Sequence, residues 1–571
     1  NSPILLSTFG MLLPLAFVLS RCVLQAAITA VLVRVGASSP VLDLEETSFY
    51  TAAVFQNAIV GGDDAGCTPS PTQPCHGPAV RDANLHKFGI AMAQARAEGA
   101  DIIVLGEGAV DSDLWNPGHW QRHFACESIP TPGMIAPCDA PGSDRFPITQ
   151  RASCLAREHH IVTVLNYCDV QPCQNASRPC NGSSDVFCCP ASGVELFNTQ
   201  VAFSETGELL AKYHKTHNYD TAPDQGETSN GLCCWPPRLD MQYFDTSFGV
   251  RFGMHICFDI LFRTPGVTLA LDPALGIRDF VYSSHWEATG PPMLPAMEVH
   301  QGWSRGLGVN LLAANAGLGY RHAGSGIYSR GRALAEHYDP NKAHDDQLLV
   351  ARVPKLGART AADSQALNQP RDRFMAPPVP AASFQEWGIL PGSSGGETTV
   401  ILNATVSSGG FVCTLKAVLS LFPHITDRYL LMAVNGSWMG RKNLPSRSCV
   451  VVRCGNLSEQ QCAARATCAD YQDSTCAAGR SLYTVAEDLS ASTVWDHIEL
   501  SGNFEADDLV LPMVGTSMGQ LVEDSNIDFA QGSMRVLLDR PLLNAMLFAI
   551  PTASSTDSPA WANGVSDAML V

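Results

Sequence analysis

The sequence predicts a layered α/β domain followed by a smaller, mainly β domain. Three observations carry this. Between residues 84 and 107 a helical spacing ends at Gly99, and an apolar run, Ala100-Asp-Ile-Ile-Val-Leu105, leads to Gly106-Glu107, which is the grammar of a βαβ unit. Helix and strand patterns go on alternating over roughly 300 residues. Beyond about residue 380, helical spacing gives way to short apolar runs flanked by Gly turns.

At 571 residues the chain is too long for one core. Its 46% hydrophobic and 16% charged residues describe a folded globular protein. A net charge of −19 with no basic run excludes nucleic acid as a partner, because phosphates are held by clustered Lys and Arg. The diffuse acidity reports solubility and points to no substrate. The oligomeric state is left open between monomer and dimer.

Taken in order, residues 1–40 hold two apolar runs, 11–19 and 23–33, separated around Arg21 and followed by the small residues Gly36-Ala37-Ser38-Ser39. This is a signal peptide or, since the runs together approach spanning length, a signal anchor. A first buried strand covers 48–56. A helix over 84–98 places Leu85, Phe88, Ala91 and Ala95 on one side and stops at Gly99. The strand 100–105 follows, then a loop-rich stretch 115–153, a helix closing at 154–159 and a strand over 161–166. A disulfide-stapled insertion is expected over 168–189. Strands 197–203 and 209–213 bracket Glu205-Thr-Gly207 as a hairpin. A strand from Val250 ends on Cys257, another covers 277–284, a helix 295–306 and a strand 309–314, with the last strands ending near Val353. The α/β domain thus spans 45–355, a linker 356–380, and the β domain 381–571, with strands expected at 398–402, 411–415, 429–433, 450–452, 495–500 and 534–538. The last stretch, 559–571, shows no hydrophobic tail of the GPI kind.

Twenty cysteines and five sequons, at Asn175, Asn181, Asn403, Asn435 and Asn456, point to a secreted or extracellular glycoprotein, membrane-associated if the leader stays uncleaved. Neighbours such as Cys67/Cys75, Cys126/Cys138, Cys173/Cys180 and Cys449/Cys454 look like loop staples. Zinc is the rival reading for Cys454, Cys462, Cys468 and Cys476, but their spacings include no Cys-x-x-Cys.

Three residues occupy equivalent places. Glu107 follows the strand 102–105, Lys215 follows the strand 209–213, and Cys257 ends the strand from Val250. In open α/β sheets the carboxyl ends of strands form the ligand-binding edge. A thiol, a carboxylate and an ammonium there suit nucleophilic acyl transfer. The ammonium is expected to lower the thiol pKa. Glu107 takes the thiol proton and later activates water. Lys215 and the backbone N–H of Phe258 hold the oxyanion. Neither metal nor cofactor is required. Each residue also has an ordinary reading: Glu107 as a solvated loop acid, Lys215 as a surface lysine in a His-Lys-Thr-His patch, Cys257 as a core or disulfide cysteine. Three such residues at matching strand ends favour the chemical reading.

The blocks Ile102-Ile-Val-Leu-Gly-Glu107, Lys212-Tyr-His-Lys215 and His255-Ile-Cys-Phe-Asp259 resemble the signature blocks of the nitrilase (carbon–nitrogen hydrolase) superfamily. Phe244-Asp-Thr-Ser-Phe-Gly249, Cys257-Phe-Asp-Ile-Leu-Phe262, Gly324-Ser-Gly-Ile-Tyr328, Cys449-Val-Val-Val-Arg-Cys454 and Leu500-Ser-Gly-Asn-Phe504 are similar to its vanin/biotinidase branch. The resemblance implies a four-layer αββα sandwich followed by a disulfide-stapled base domain. It implies Glu107 as general base, Lys215 as oxyanion-stabilising residue and proton donor, and Cys257 as nucleophile. The family's second glutamate matches Glu227, 12 residues after Lys215, although Asp220 and Asp224 depart from the pattern between them. Phe258, Trp286 and Asn315 are candidate pocket residues, while Glu298 and His300 read as structural. The implied reaction is hydrolysis of a small linear amide through a Cys257 thioester: pantetheine to pantothenate and cysteamine, or alternatively biotin amides such as biocytin. A non-catalytic secreted binding protein and an amine-accepting transferase are rivals from other classes.

Overall fold

Side chains that alternate along a strand build the first two layers. On β1 (Phe49–Gln56), Ala52 and Val54 face a second sheet, while Ala53 and Phe55 face a helix. That helix, α1 (His76–Ala97), closes on them with Leu85, Phe88, Met92 and Ala95. It starts ahead of the expected residue 84 because Pro78 lies in its first turn, where a missing N–H breaks no hydrogen bond. On β2 (Ile102–Leu105) the alternation repeats, with Ile102 and Val104 facing the second sheet and Ile103 and Leu105 the helix.

The computed structural model describes residues 48–357 apart from 61–75, 111–125, 134–135, 141–144, 174–188, 190–192, 219–239, 287–295, 318–323 and 339–345. Of the remainder it describes residue 410 and the strands between 398 and 551. The leader and nearly all of the expected linker lie outside the described residues, as do Glu227 and the sequons at Asn175, Asn181 and Asn456.

The chain continues through β3 (Cys126–Glu127), α2 (Pro147–His159), β4 (Val162–Pro172), β5 (Val194–Phe203), β6 (Leu209–His214), β7 (Tyr243–Asp245) and β8 (Arg251–Ile256). It then forms β9 (Asp279–Ser284), α3 (Ala296–Leu307), β10 (Asn310–Asn315), β11 (Ser325–Ser329), β12 (Arg332–His337) and β13 (Gln347–Pro354). One sheet runs β13-β1-β2-β4-β5-β6, with β3 beside β4; the other runs β12-β11-β10-β9-β8-β7. Each has a parallel centre, β1-β2-β4 and β8-β9-β10, with antiparallel strands outside. α1 and α2 cover the first sheet, and Trp303 of α3 stacks on His255 and meets Phe280 edge-on on the second. The result is the four-layer αββα order. At the carboxyl ends of the central strands the sheets are stitched together: Glu107 N–H donates to Ser284 O (3.2 Å), Ser283 Oγ to Leu105 O (2.7 Å) and Gln200 Nε2 to Ser283 Oγ (2.9 Å).

The second region is all antiparallel among the described residues. Its strands are β14 (Thr398–Ser408), β15 (Phe411–Leu421), β16 (Tyr429–Trp438), β17 (Leu444–Arg453), β18 (Val494–Gly502), β19 (Asp508–Thr516), β20 (Asn526–Asp528), β21 (Ser533–Leu537) and β22 (Leu542–Pro551). They form sheets ordered β14-β15-β18-β21-β20 and β16-β17-β22-β19. Sequence reading did not foresee β19, β20 and β22. β19 carries Pro512, which an edge strand tolerates. β22 is rich in Leu, Ala and Met, helix formers that sheet context overrides. Met432, Val450 and Met546 join the apolar core of the first region.

The cysteines pair differently from the loop staples expected. The bonds are Cys126–Cys168, Cys138–Cys154, Cys173–Cys189 and Cys413–Cys449. Tertiary position decides the partners: Cys126 and Cys168 are register neighbours on β3 and β4, and Cys413–Cys449 ties β15 of one sheet to β17 of the other. Asn403 and Asn435 lie within β14 and β16. Among the described residues no helix is long and apolar enough to cross a membrane.

Candidate active site

Glu107 sits two residues past β2, after Gly106. A Cβ on Gly106 would lie 3.2 Å from Asn57 Oδ1 and 3.3 Å from both Ala316 N and the Asn315 carbonyl carbon, so glycine lets the strand end press against its neighbours. Glu107 is fully buried, unlike a solvated loop acid. Lys215, directly after β6, is 2% exposed, unlike a surface lysine. Its Nζ donates to Glu107 Oε1 at 2.7 Å. Cys257, directly after β8, is the free cysteine among the described residues and is buried. Its thiol lies against the Glu107 carboxylate and the backbone N–H of His285. The structure thus brings the three sequence-selected residues together.

Burying an ion pair costs several kcal/mol per ion unless the remaining lone pairs are also satisfied. Here they are. Glu107 Oε1 also accepts Asn198 Nδ2 at 2.7 Å, and Oε2 accepts His285 N–H at 2.9 Å. Asn198 is in turn held by Asn166 Nδ2 at 2.7 Å, while Asn166 Oδ1 accepts Gly108 N–H at 2.8 Å. Sequence reading missed Asn166, Asn198 and His285. Two asparagines inside buried strands were the available signal, since buried amides need partners; His285 acts through its main chain and leaves none.

Cys257 has φ 45°, the left-handed region that a side chain seldom occupies. A buried brace keeps the turn in place. Asp259 Oδ2 accepts Ile256 N–H (3.0 Å) and Tyr213 OH (2.8 Å), and Oδ1 accepts His217 N–H (2.8 Å) with His217 Nδ1 3.0 Å away. Tyr282 OH donates to Cys257 O at 2.8 Å. Phe258 is buried edge-on to Phe262. Trp286 is buried and its main-chain N–H donates to Asn315 Oδ1 (2.7 Å), which also accepts Ser284 Oγ (3.0 Å) and Ala316 N–H (3.1 Å). Asn315 therefore ties the ends of β9 and β10. His300 packs its ring against Tyr282 and Glu298 is buried nearby on α3.

The electrostatics correct one expectation. The thiol is not lowered: burial pushes it well above its ordinary value, Glu107 adds to the rise, and Lys215 and the His285 N–H offset only part of it. The resting Cys257 side chain is a neutral thiol beside the Glu107 carboxylate. Burial works against the Lys215 ammonium, but Glu107, by charge and hydrogen bond, together with Asp259 outweighs it and holds its pKa above the usual lysine value. Lys215 remains a cation throughout the neutral range. Burial and Lys215 bring the His285 imidazole down to about 4. A neutral thiol, a carboxylate able to take its proton and a fixed cation together can add sulfur to a carbonyl carbon and stabilise the resulting oxyanion.

Residues 52–314 match the family model described as carbon–nitrogen hydrolase, and residues 396–550 match the vanin C-terminal domain. Pantetheinase from Canis lupus familiaris is 34% identical over 316 residues, 55% of this chain and 56% of that protein. Biotinidase from Takifugu rubripes is 28% identical over 435 residues, 73% of this chain and 81% of that protein. A human pantetheine hydrolase is 28% identical over 503 residues, 87% of this chain and 85% of that protein. The matched stretch therefore spans little more than half the length of the dog pantetheinase. Among solved structures, an amidase from Nesterenkonia sp. superposes with a TM-score of 0.34 at 16% identity, over 54% of this chain and 91% of that one, too loosely to carry an argument.

Proposed function

Because the chain belongs to the carbon–nitrogen hydrolase family, in the branch with a vanin C-terminal domain, we propose that it hydrolyses a linear amide through a thioester on Cys257. The observation that carries this reading is the buried 2.7 Å pair of Lys215 and Glu107, with the Cys257 thiol against the same carboxylate.

The first half-reaction forms the S–C bond. Sulfur attacks the amide carbon, the thiol proton passes to Glu107, and the carbonyl π electrons move to oxygen. Lys215 Nζ and the Phe258 N–H receive that oxyanion. Collapse breaks the C–N bond, and the amine leaves with the proton held on Glu107. In the second half Glu107 takes a proton from water, hydroxide adds to the thioester, and the acid departs as the Cys257 thiol is restored.

Pantetheine, yielding pantothenate and cysteamine, is the first substrate proposed, in keeping with the higher identity to pantetheinases. Biotin amides are the second, in keeping with the longer match to a biotinidase. Steady-state hydrolysis of pantetheine and biocytin by the full chain, at matched concentrations, separates them. Preference for pantetheine is expected; preference for biocytin reverses the choice. Cys257→Ala should abolish turnover and leave the circular dichroism unchanged. Turnover retained by that variant would remove the thioester mechanism. The disulfides among the described residues fit an oxidising, extracellular setting.

A further inference from the structure

Tyr282 is fully buried on β9, and its hydroxyl donates to the main-chain oxygen of Cys257. Buried tyrosines usually find some partner. The identity of this partner matters, because Cys257 O belongs to the peptide unit that carries the Phe258 N–H. That unit is planar and trans, so its C=O and N–H point opposite ways. Fixing the oxygen of Cys257 aims the N–H of Phe258. The Cys257 turn is also strained at φ 45° and depends on its surroundings to hold its shape.

Tyr282 is itself well held. Its ring lies 4.8 Å from the His255 ring and 5.1 Å from the His300 ring, centroid to centroid. Burial, with smaller effects from Glu107 and Asp259, raises its pKa well above the ordinary tyrosine value, so it stays a donor.

We propose that Tyr282 is a positioning residue for the oxyanion site: by holding the Cys257 carbonyl it points the Phe258 N–H at the oxygen that becomes negative when the thiol adds to an acyl carbon. This rests on the amidohydrolase reading. Sequence gave no hint of it, since a tyrosine in a central strand reads as core.

The test compares wild-type full chain with Tyr282→Phe, taking rates per folded molecule as judged by near-UV circular dichroism. Three quantities are read: kcat and KM for amide hydrolysis, inhibition by the aldehydes corresponding to pantothenate and to biotin, and alkylation of Cys257 by iodoacetamide. The thiol adds to an aldehyde by forming an S–C bond. The carbonyl pair moves to oxygen, which takes the thiol proton by way of Glu107, and the thiohemiacetal oxygen occupies the proposed oxyanion site. Alkylation by iodoacetamide displaces iodide and forms no oxyanion there. The expected result is a fall in kcat of about tenfold with KM within about twofold, weaker aldehyde inhibition by a similar factor, and alkylation within about twofold of wild type. Unchanged kcat and aldehyde inhibition overturn the proposal. So does an equal fall in kcat and alkylation, which would mean general damage to the turn. If wild type cleaves no amide but binds an aldehyde, the amidohydrolase reading fails while the aldehyde comparison still decides the role of Tyr282. If wild type binds neither aldehyde, the oxyanion site is absent and the proposal falls.

Discussion

Asn198 donates from Nδ2 to Glu107 at 2.7 Å, and its main-chain oxygen accepts the backbone N–H of Lys215 at 2.8 Å. One residue thus places both members of the buried pair, the acid through its side chain and the lysine through its main chain. Asn198→Ala removes a donor from a buried carboxylate and leaves Asn166 Nδ2 without its acceptor. The expected cost is about 2–3 kcal/mol of stability, with a fall in kcat of roughly ten- to a hundredfold. Urea denaturation and steady-state kinetics check the two separately. Wild-type kcat in this variant would show that Lys215 and His285 suffice to set the carboxylate.

The neutral resting thiol makes Cys257 a poor target for simple alkylation. Its pKa is raised, so the thiolate fraction at neutral pH is smaller than for a free cysteine. Iodoacetamide should react with it more slowly at pH 7 than with glutathione, and the rate should still be rising with pH beyond the ordinary thiol range. On the proposed mechanism an amide substrate avoids this limit, because the thiol hands its proton to Glu107 as it attacks the carbonyl carbon. Fast, pH-independent alkylation near neutrality would mean a resting thiolate and a different division of labour with Glu107.

The strand ends that carry Glu107, Lys215 and Cys257 were legible because apolar strand runs break off at or just before them. Their convergence was not, since it depends on a parallel centre in each of two sheets and on stitching such as Glu107 N–H to Ser284 O. Asn166 and Asn198 read as ordinary polar interruptions until β4 and β5 pair and bring them, diagonally across the ladder, within hydrogen-bond reach. His285 contributes an N–H that every residue except proline has. The cysteines were legible as disulfide-forming but not as pairs, because Cys126 meets Cys168 only when β3 joins β4. The sign of the thiol shift failed for a related reason: sequence shows the neighbouring lysine and not the depth of burial that outweighs it.

His300 gives the fold a measurable acid sensitivity. It is fully buried, and burial alone brings its pKa down to about 3. Its ordinary value is about 6.5. Between these pH values the unfolded chain binds a proton that the folded protein refuses. The stability contributed by the neutral ring is therefore present above about pH 6.5 and lost as pH falls. The slope for one such group is about 1.4 kcal/mol per pH unit. His300→Phe keeps an aromatic ring against Tyr282 and removes the titration. Denaturant melts at pH 7, 6 and 5 should show the variant gaining on wild type at each step down. Parallel curves would mean that His300 is charged or hydrated in the folded state.

Gly106→Ala tests whether the strand end that bears Glu107 must sit where it does. The added methyl would meet Asn57 Oδ1 at 3.2 Å and the main chain of Asn315 and Ala316 at 3.3 Å. The Asn57 side chain can yield, because neither of its amide atoms has a partner among the described residues. The main chain at 315–316 cannot yield easily, since β10 is locked to β9 through Asn315 and the Ala316 N–H donates to Ser284 O. The end of β2 must therefore shift, and Glu107 shifts with it relative to the Cys257 thiol. Overpacking of this kind costs about 1–3 kcal/mol. The catalytic effect should exceed what that cost explains: a fall in kcat of at least about tenfold with KM little changed, because small displacements of a reacting group are felt mainly in the chemical step. Gly253→Ala is the control. Its methyl would strike the Phe280 ring, a harder packing clash than the one at Gly106, at a place that touches neither Glu107 nor Lys215. If both variants lose stability and only Gly106→Ala loses kcat, the placement of Glu107 is what matters. Equal losses of kcat would trace the effect to general loosening between the sheets.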